Sequence, residues 1–198
     1  MRKTLMAASV LALVAGSASA ATVSYSGSTG VVSSLGTVTL QQFDSSLGTL
    51  TGIQIDWDSG FSARFVAAPE TPADSGTVSG ADGFVVSTII NFAAPAGTSV
   101  PDLSANAGSA FSVSVPPTYQ QIVSGGDADV RNYGPLASFI GLGTVSYSFV
   151  GSASDTSSAS NGILRGVQDY LYLVNADITY TYDTPTTDVP VPAALPLL

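Results

Sequence analysis

Apolar and polar residues alternate with a period of two along much of this sequence, which restricts the chain to β-structure. The clearest example is the stretch 170–183 (YLYLVNADITYTYD). Successive side chains of a strand point to opposite faces, so the alternate positions of this stretch share one face. These positions are Tyr170, Tyr172, Val174, Ala176, Ile178, Tyr180 and Tyr182. The stretch predicts one long half-buried strand, or two strands joined at residues 175–177.

Similar short stretches recur between Gly-, Pro- and Ser-containing breaks, at 21–27, 38–43, 50–57, 61–66, 84–92, 111–115 and 144–150. No helical period is sustained here, and residues 136–142 leave room for one helical turn at most. The sequence predicts an all-β single domain, an antiparallel two-sheet β-sandwich of jelly-roll type, with residues 69–82 and 151–162 as exposed loops. The predicted core contains Ile53, Ile55, Trp57, Val145, Tyr147, Phe149 and Ile178.

The first twenty residues have the layout of a secretory signal peptide. Arg2 and Lys3 form a basic start, residues 5–14 (LMAASVLALV) form an apolar segment, and small residues follow. Ala18 and Ala20 stand in the A-x-A arrangement that signal peptidase recognises. The apolar segment is too short to span a bilayer, which takes about 20 residues. We therefore expect residues 1–20 to be a signal helix, the mature chain to begin at Ala21, and the protein to be exported.

Removal of this segment leaves a strongly acidic chain. Three arginines remain against fourteen acidic residues, a formal charge of −11. Phosphate backbones require positive charge, so this composition excludes nucleic acid as a partner. The chain also contains no histidine and no cysteine. Catalytic triads, Cys–His pairs and zinc sites are built from these side chains, so only carboxylate chemistry stays open among the common hydrolytic mechanisms. A glycosidase pair at Asp56 and Asp58 is disfavoured because Trp57 points to the opposite face and cannot stack on a sugar bound there. The sequence therefore predicts a protein that is not an enzyme.

Two Asp-x-Asp pairs are the candidate metal ligands. Asp56 and Asp58 alternate along a predicted strand, so their carboxylates are expected on one face about 7 Å apart. Asp127 and Asp129 follow two glycines in a predicted loop. Such oxygens suit calcium, which takes about six to eight of them. Calcium is the one cofactor that the sequence suggests, and a polar outer face ending in a D-S-G turn is the alternative explanation of the first pair.

The last fifteen residues, 184–198, differ in composition from the rest of the chain. A Pro-rich linker leads into Val189, Pro190, Val191, Pro192 and Ala193. This motif resembles the VPLPA variant of the PEP-CTERM sorting signal of Gram-negative bacteria, with Val191 in place of Leu. In that family the motif precedes a membrane-spanning helix and an arginine cluster, and an exosortase processes it. The resemblance implies a truncated form of this signal.

Two segments of the predicted sandwich domain, residues 21–183, are distinctive: 40–50 (LQQFDSSLGTL) and 178–182 (ITYTY). Phe43 and Leu47 are spaced to pack across a turn opened by Asp44, and Gly48 permits a tight return into the next strand. The domain is similar to the choice-of-anchor domains of such surface proteins, most closely the E type. The resemblance implies location and architecture, with no reaction and no catalytic residues.

These observations predict an exported, non-enzymatic protein of the Gram-negative cell surface or extracellular matrix, associated with exopolysaccharide and biofilm. Its expected partners are signal peptidase, an exosortase-type enzyme and extracellular polysaccharide.

Two other functions stay open. Tyr170, Tyr172, Tyr180 and Tyr182 share a predicted face, and aromatic rows on strands form either core packing or a sugar-binding platform. Core packing is the commoner arrangement, whereas a platform would indicate a carbohydrate-binding, lectin-like sandwich. A self-assembling surface subunit is the third possibility, because the mature chain has no lysine to protect exposed strand edges.

Overall fold

Two strands of 21 residues, β3 (Thr49–Pro69) and β11 (Ile163–Asp183), form the centre of the fold. The computed structural model describes residues 20–80, 85–99, 101, 103–107, 111–155, 157–160 and 162–185. The other strands are β1 (Ala20–Ser28), β2 (Leu35–Gln41), β4 (Gly76–Gly80), β5 (Val85–Ala93), β6 (Leu103–Ala107), β7 (Phe111–Val115), β8 (Tyr119–Tyr133), β9 (Thr144–Ser154) and β10 (Ser158–Ala159). Ser45–Leu47 and Ala137–Phe139 are single turns of 3₁₀ helix, the second lying in the segment predicted to hold one turn.

The strands build antiparallel sheets packed as a sandwich, which confirms the predicted fold class. One layer is a four-stranded sheet in the order β1-β11-β3-β8, called here the long sheet. The prediction of two sheets was too simple, because the facing strands form two separate sheets, β2-β9-β5-β6 and β10-β4-β7. Strand β1 lies beside β2 and β6 lies beside β8, so contacts between the layers close both sides of the sandwich.

The inner face of the long sheet carries the predicted core. In the ladder between β3 and β11, Ile55 lies opposite Ile178 and Trp57 lies opposite Ala176. The Trp57 ring packs edge-to-face on Tyr147 of the facing sheet, with ring centroids 4.7 Å apart. Burial of each large apolar side chain stabilises the fold by about 1.5–3 kcal/mol. All seven predicted core residues are buried: Ile53, Ile55, Trp57, Val145, Tyr147, Phe149 and Ile178.

A β-bulge in β11 allows this strand to face the core along its whole length. The register against β3 shifts between residues 168 and 171. Before the shift the odd-numbered Ile163 is buried, and after it the even-numbered Tyr172 is buried. One extra residue reverses the face on which alternate side chains lie, so the bulge keeps apolar residues inward in both halves. Asp169 lies in the bulge with a φ of 49°, in the left-handed region.

Several predicted boundaries were wrong. Strand β3 runs unbroken through residues 58–60, where the D-S-G turn was the alternative, and β11 is one strand rather than two. The predicted loop that holds Asp127 and Asp129 is part of β8. Strands β4 and β10 lie inside the predicted loops 69–82 and 151–162, and they pair with each other. The Gly- and Ser-rich sequences of these two strands have low strand propensity, so local pattern predicts loops there. Pairing with partner strands holds them extended.

The turn between β2 and β3 is capped as the sequence indicates. The Asp44 carboxylate accepts the backbone N–H of Ser46 at 2.8 Å, and this hydrogen bond holds the pKa of Asp44 below its ordinary value. Phe43 is fully buried, but Leu47 is 37% exposed. The predicted packing of Leu47 across the turn is therefore at most partial.

Gly48 ends this turn in a conformation and a space that exclude other residues. Its φ is 149°, and a Cβ atom built there would lie 2.0 Å from the backbone oxygen of Asp183 at the end of β11. Both observations confirm that Gly48 permits the tight return into β3. The turn therefore packs directly against Asp183, the last residue of β11.

We expect Gly48→Ala to lower the free energy of unfolding by about 3 kcal/mol, because the methyl group strains the backbone and collides with β11. Urea unfolding followed by tryptophan fluorescence measures the change. Gly134→Ala is the matched control, because Gly134 has open space around its Cβ position, and it should change stability by less than about 0.5 kcal/mol. Equal effects of the two substitutions would contradict the close approach of the turn to β11.

Candidate functional site

The two Asp-x-Asp pairs lie on neighbouring strands but point to opposite faces of the long sheet. Strand β8 pairs with β3 so that Asp129 lies opposite Trp57. Residues directly opposite in a ladder share a face, so Asp127 and Asp129 point to the inner side with Trp57. Asp56 and Asp58 alternate with Trp57 and point to the outer side. The four carboxylates therefore do not converge on one calcium ion.

The inner pair is engaged by the protein itself. The backbone N–H of Ser104 donates to Asp127 Oδ2 at 2.8 Å, and the backbone N–H of Ala128 donates to Oδ1 at 2.9 Å. Ser104 belongs to β6, an edge strand of the facing sheet, so Asp127 joins the two layers. Arg131 Nε donates to Asp129 Oδ2 at 2.6 Å. Sequence analysis missed the bridging role of Asp127, since no local pattern reveals which N–H a distant strand leaves open.

The outer pair lies on the solvent face beside a third carboxylate, Asp177 of β11, which is opposite Asp56 in the ladder. Gln54 Nε2 donates to both carboxylate oxygens of Asp56 at 2.9 Å. Asp58, Asn175 and Asp177 line an open cleft of about 470 Å³. Within the described ranges, no group of three or more Asp, Glu, His or Cys side chains is placed to hold a metal ion. Calcium binding stays a prediction.

An apolar groove continues from this cleft along the same face, and sequence analysis did not anticipate it. It has a volume of about 280 Å³ and lies between Leu171, Leu173 and Val31 over Gly60. Gly60 is opposite Leu173 in the ladder, so the missing side chain makes the floor of the groove. Alternation placed Leu171 and Leu173 on a mixed face, but the pairing of Leu173 with Gly60 depends on the register between two distant strands.

The tyrosine row belongs to the core. The hydroxyl of Tyr172 donates to the backbone oxygen of Ser34, and that of Tyr180 donates to the backbone oxygen of Gln41, both at 2.8 Å. These bonds tie β11 to the two ends of the β2 region. Two rings of the row are fully buried and two are partly buried: Tyr172 and Tyr180, then Tyr170 and Tyr182. Core packing is confirmed, and this row does not form a sugar-binding platform.

Burial also fixes the ionisation of the core tyrosines. It raises the pKa of Tyr147 to about 12, and it raises the pKa of Tyr180 further, because a phenolate in the core loses its hydration. The nearby Thr98 side chain lowers the pKa of Tyr147, but by less than burial raises it. Within the described residues no hydrogen-bond partner of normal geometry reaches the Tyr147 hydroxyl. This hydroxyl is therefore buried at some cost to stability.

The arginines are used inside the domain. Each of the three in the described chain forms an ion pair with an aspartate: Arg64 with Asp169, Arg131 with Asp129, and Arg165 with Asp155. All three pairs are at least partly solvated, so each contributes little to stability, about 0–1 kcal/mol. Because these arginines pair with other aspartates, none of them neutralises the negative charge of the outer carboxylates.

The boundary residues of the two predicted signals meet at one end of the long sheet. Ala20, the last residue of the predicted signal peptide, is the first residue of β1, and it pairs with Asp183, the last residue of β11. Ala18 lies outside the described residues, as do Val189, Pro190, Val191, Pro192 and Ala193. None of the described segments is a helix of the length and apolarity needed to cross a bilayer.

Comparisons with known proteins add no functional information. No family model matches the chain, and no curated protein matches it. Among solved structures, the chain is similar to a cryo-EM structure of Mud crab tombus-like virus, with 12% identity over 96% of this chain and 94% of that chain. The TM-score of this match is 0.19, which is too low to support any argument.

For the inner carboxylates, we expect Asp127→Ala to lower the free energy of unfolding by about 1–2 kcal/mol, because it leaves the Ser104 N–H without its acceptor. Asp58→Ala is the matched control and should have almost no effect in EDTA, since Asp58 is exposed on the outer face. Urea unfolding in EDTA and in millimolar calcium measures both. Equal stabilities of the two variants in EDTA would contradict the bridging role. A calcium-dependent stabilisation of the parent that Asp58→Ala removes would place calcium at the outer pair.

For the buried hydroxyl, we expect Tyr147→Phe to be neutral or stabilising at pH 7, whereas Tyr180→Phe loses a hydrogen bond worth about 1 kcal/mol. The pKa of Tyr147 is raised in the folded state, so its contribution is intact below pH 10 and is lost as pH rises towards 12. Tyr147→Phe should therefore weaken the loss of stability between pH 10 and 12. Melting temperatures across this range check the prediction, and a parent-like alkaline loss would contradict it.

Proposed function

We propose that this chain is an exported, non-enzymatic protein of a Gram-negative cell surface or extracellular matrix. In this proposal residues 1–20 direct export, signal peptidase removes them, and residues 184–198 carry an exosortase-type sorting motif. The β-sandwich between them is the functional domain of a choice-of-anchor type. Its partner is extracellular polysaccharide of the kind found in biofilm.

One observation carries the proposal: the last strand ends where the predicted Pro-rich linker begins. Strand β11 ends at Asp183, and Thr184 and Pro185, the first two residues of the linker, lie outside the ladder. This agreement supports a folded domain that is followed by a separate sorting segment.

The roles of the acidic side chains support a structural function. Asp44 caps a turn, Asp127 bridges two sheets, and Asp129, Asp155 and Asp169 form ion pairs. Each of these five carboxylates is accounted for by a contact that holds the fold together.

The outer face of the long sheet supports polysaccharide as the partner. The cleft at Asp58, Asn175 and Asp177 presents hydrogen-bonding groups, and the groove at Leu171 and Leu173 adjoins it along the same strand. Sugars present hydroxyl groups at their edges and C–H groups on their faces, which suit such a combination. The formal charge of −11 favours a polysaccharide without acidic groups.

The experiment for export is N-terminal sequencing of the protein purified from a Gram-negative host. We expect a start at Ala21 and recovery outside the cytoplasm, because small residues at Ala18 and Ala20 direct cleavage. Ala20→Leu should block this cleavage, whereas the control Ala21→Ser should leave it unchanged. Cytoplasmic protein that begins at Met1 would contradict the proposal.

A further inference from the structure

The outer face of the long sheet carries three adjoining hollows, which form one trough over β3 and β11. The first is the cleft at Asp58 and Asn175, and the second is the groove at Gly60 and Leu173. These two pairs follow each other on the same face of the ladder. The third hollow, of about 290 Å³, shares two lining residues with the groove. It is lined by Ser62, Ala63, Arg64, Ile122, Asp169 and Leu171.

The trough has the length of a segment of extended polymer. Strand β3 advances six residues from Asp58 to Arg64, which is about 20 Å at about 3.3 Å per residue. The floor is low because Gly60 has no side chain. A Cβ atom built at Gly60 would lie 3.9 Å from the nearest described atom, the backbone oxygen of Gly125, so packing of the fold does not require a glycine there. A compact small molecule would fill only part of this trough.

The two ends of the trough differ in charge. At one end, Asp58 obtains a single long hydrogen bond within the described residues, from Asn175 Nδ2 at 3.5 Å, and Asp177 lies beside it. At the other end, Arg64 and Asp169 form an ion pair and leave no net charge. The other described arginines pair with Asp129 and Asp155. Charge complementarity therefore favours an occupant that brings cationic groups to the acidic end and is apolar or neutral over the groove.

We infer that this trough binds an extended polysaccharide whose sugars carry free amino groups. The inference rests on the polysaccharide partner proposed above and names its chemical class. Ammonium groups of the sugar chain donate charge-assisted hydrogen bonds to Asp58 and Asp177. The C–H faces of the sugar rings pack on Leu171 and Leu173. A neutral sugar makes the second contact alone, so the carboxylates select the amine.

The position of the trough favours a sugar chain over a basic peptide. Extended peptides bind sheets by adding a strand to an exposed edge, where main-chain hydrogen bonds supply affinity. Strands β3 and β11 are the central strands of the long sheet, and each has a neighbour on both sides. Their backbone groups are used in these ladders, so an occupant of the trough is recognised through its side groups. An amino sugar presents hydroxyl and ammonium groups on every unit.

The first experiment compares two hexasaccharides that differ only at the amine: a glucosamine oligomer and its fully N-acetylated form. Isothermal titration calorimetry with the full chain at low salt measures both affinities. We expect the amine form to bind at least about tenfold more tightly, which corresponds to about 1.4 kcal/mol. Added salt should reduce this preference, because it screens exposed charges.

Charge variants locate the source of the preference. Asp177→Asn should weaken binding of the glucosamine oligomer and leave the N-acetylated oligomer unchanged. Combined with Asp58→Asn, it should remove the preference, since both side chains keep their shape and lose their charge. Glu70→Gln is the matched control, because it removes one exposed charge beyond the end of β3. This control should bind both oligomers as the parent does.

A second pair of variants tests the groove. Gly60→Val fills the floor and should weaken both oligomers at least about tenfold. Gly52→Val is its control on the same strand and face, where a Cβ atom would lie 3.8 Å from Thr181 Cβ. It should leave both affinities unchanged. Urea unfolding of the two variants shows that each is folded.

A neutral glucose hexasaccharide and a lysine hexapeptide complete the comparison. Equal affinity for the amine and N-acetylated forms, or binding of the glucose oligomer alone, would overturn the inference and leave a polysaccharide partner in place. Equally tight binding of the lysine peptide would overturn it in favour of a basic protein segment. Unchanged binding by Gly60→Val would show that the trough is not the site. Failure of all the sugars to bind would instead contradict the polysaccharide partner itself.

Discussion

The antiparallel ladder between β3 and β11 is the constraint on which the rest of this structure depends. Each strand has 21 residues, and their pairing fixes which side chains enter the core along the whole long sheet. Strand β1 adds to one side of this pair and β8 to the other. The period of a strand is two, so a slip of one residue would turn the core face outward and end the sandwich.

The same register determines the face of the sheet on which the residues of each candidate site lie. It turns Tyr172 and Tyr180 inward, where their hydroxyls bind the backbone near the ends of β2, and it turns Asp56 and Asp58 outward. It also opens a groove where Gly60 meets Leu173. Function on this domain is therefore expected on the outer face and at the end where β1 and β11 meet. The interior is occupied by packing.

Local pattern was sufficient for the core and insufficient for the polar strands. Trp57 and Ile178 were predicted from alternation because apolar side chains at period two leave few other arrangements. Strand β8 was missed because its inward positions include Asp127 and Asp129, whose contacts come from Ser104 and Arg131. Asp129 pairs with Arg131 of the same strand, whereas Asp127 has its partner, the backbone N–H of Ser104, on a distant strand. A single sequence does not show that partner.

The accessibility of Trp57 tests the register most directly, because it is the only tryptophan in the chain and reports on one face of β3. It is 2% exposed and lies between Tyr147 and Phe149. Acrylamide quenching of its fluorescence should be far weaker in the native protein than in the urea-unfolded chain. Equal quenching in the two states would place Trp57 on the solvent face and contradict the ladder from which the whole account is built.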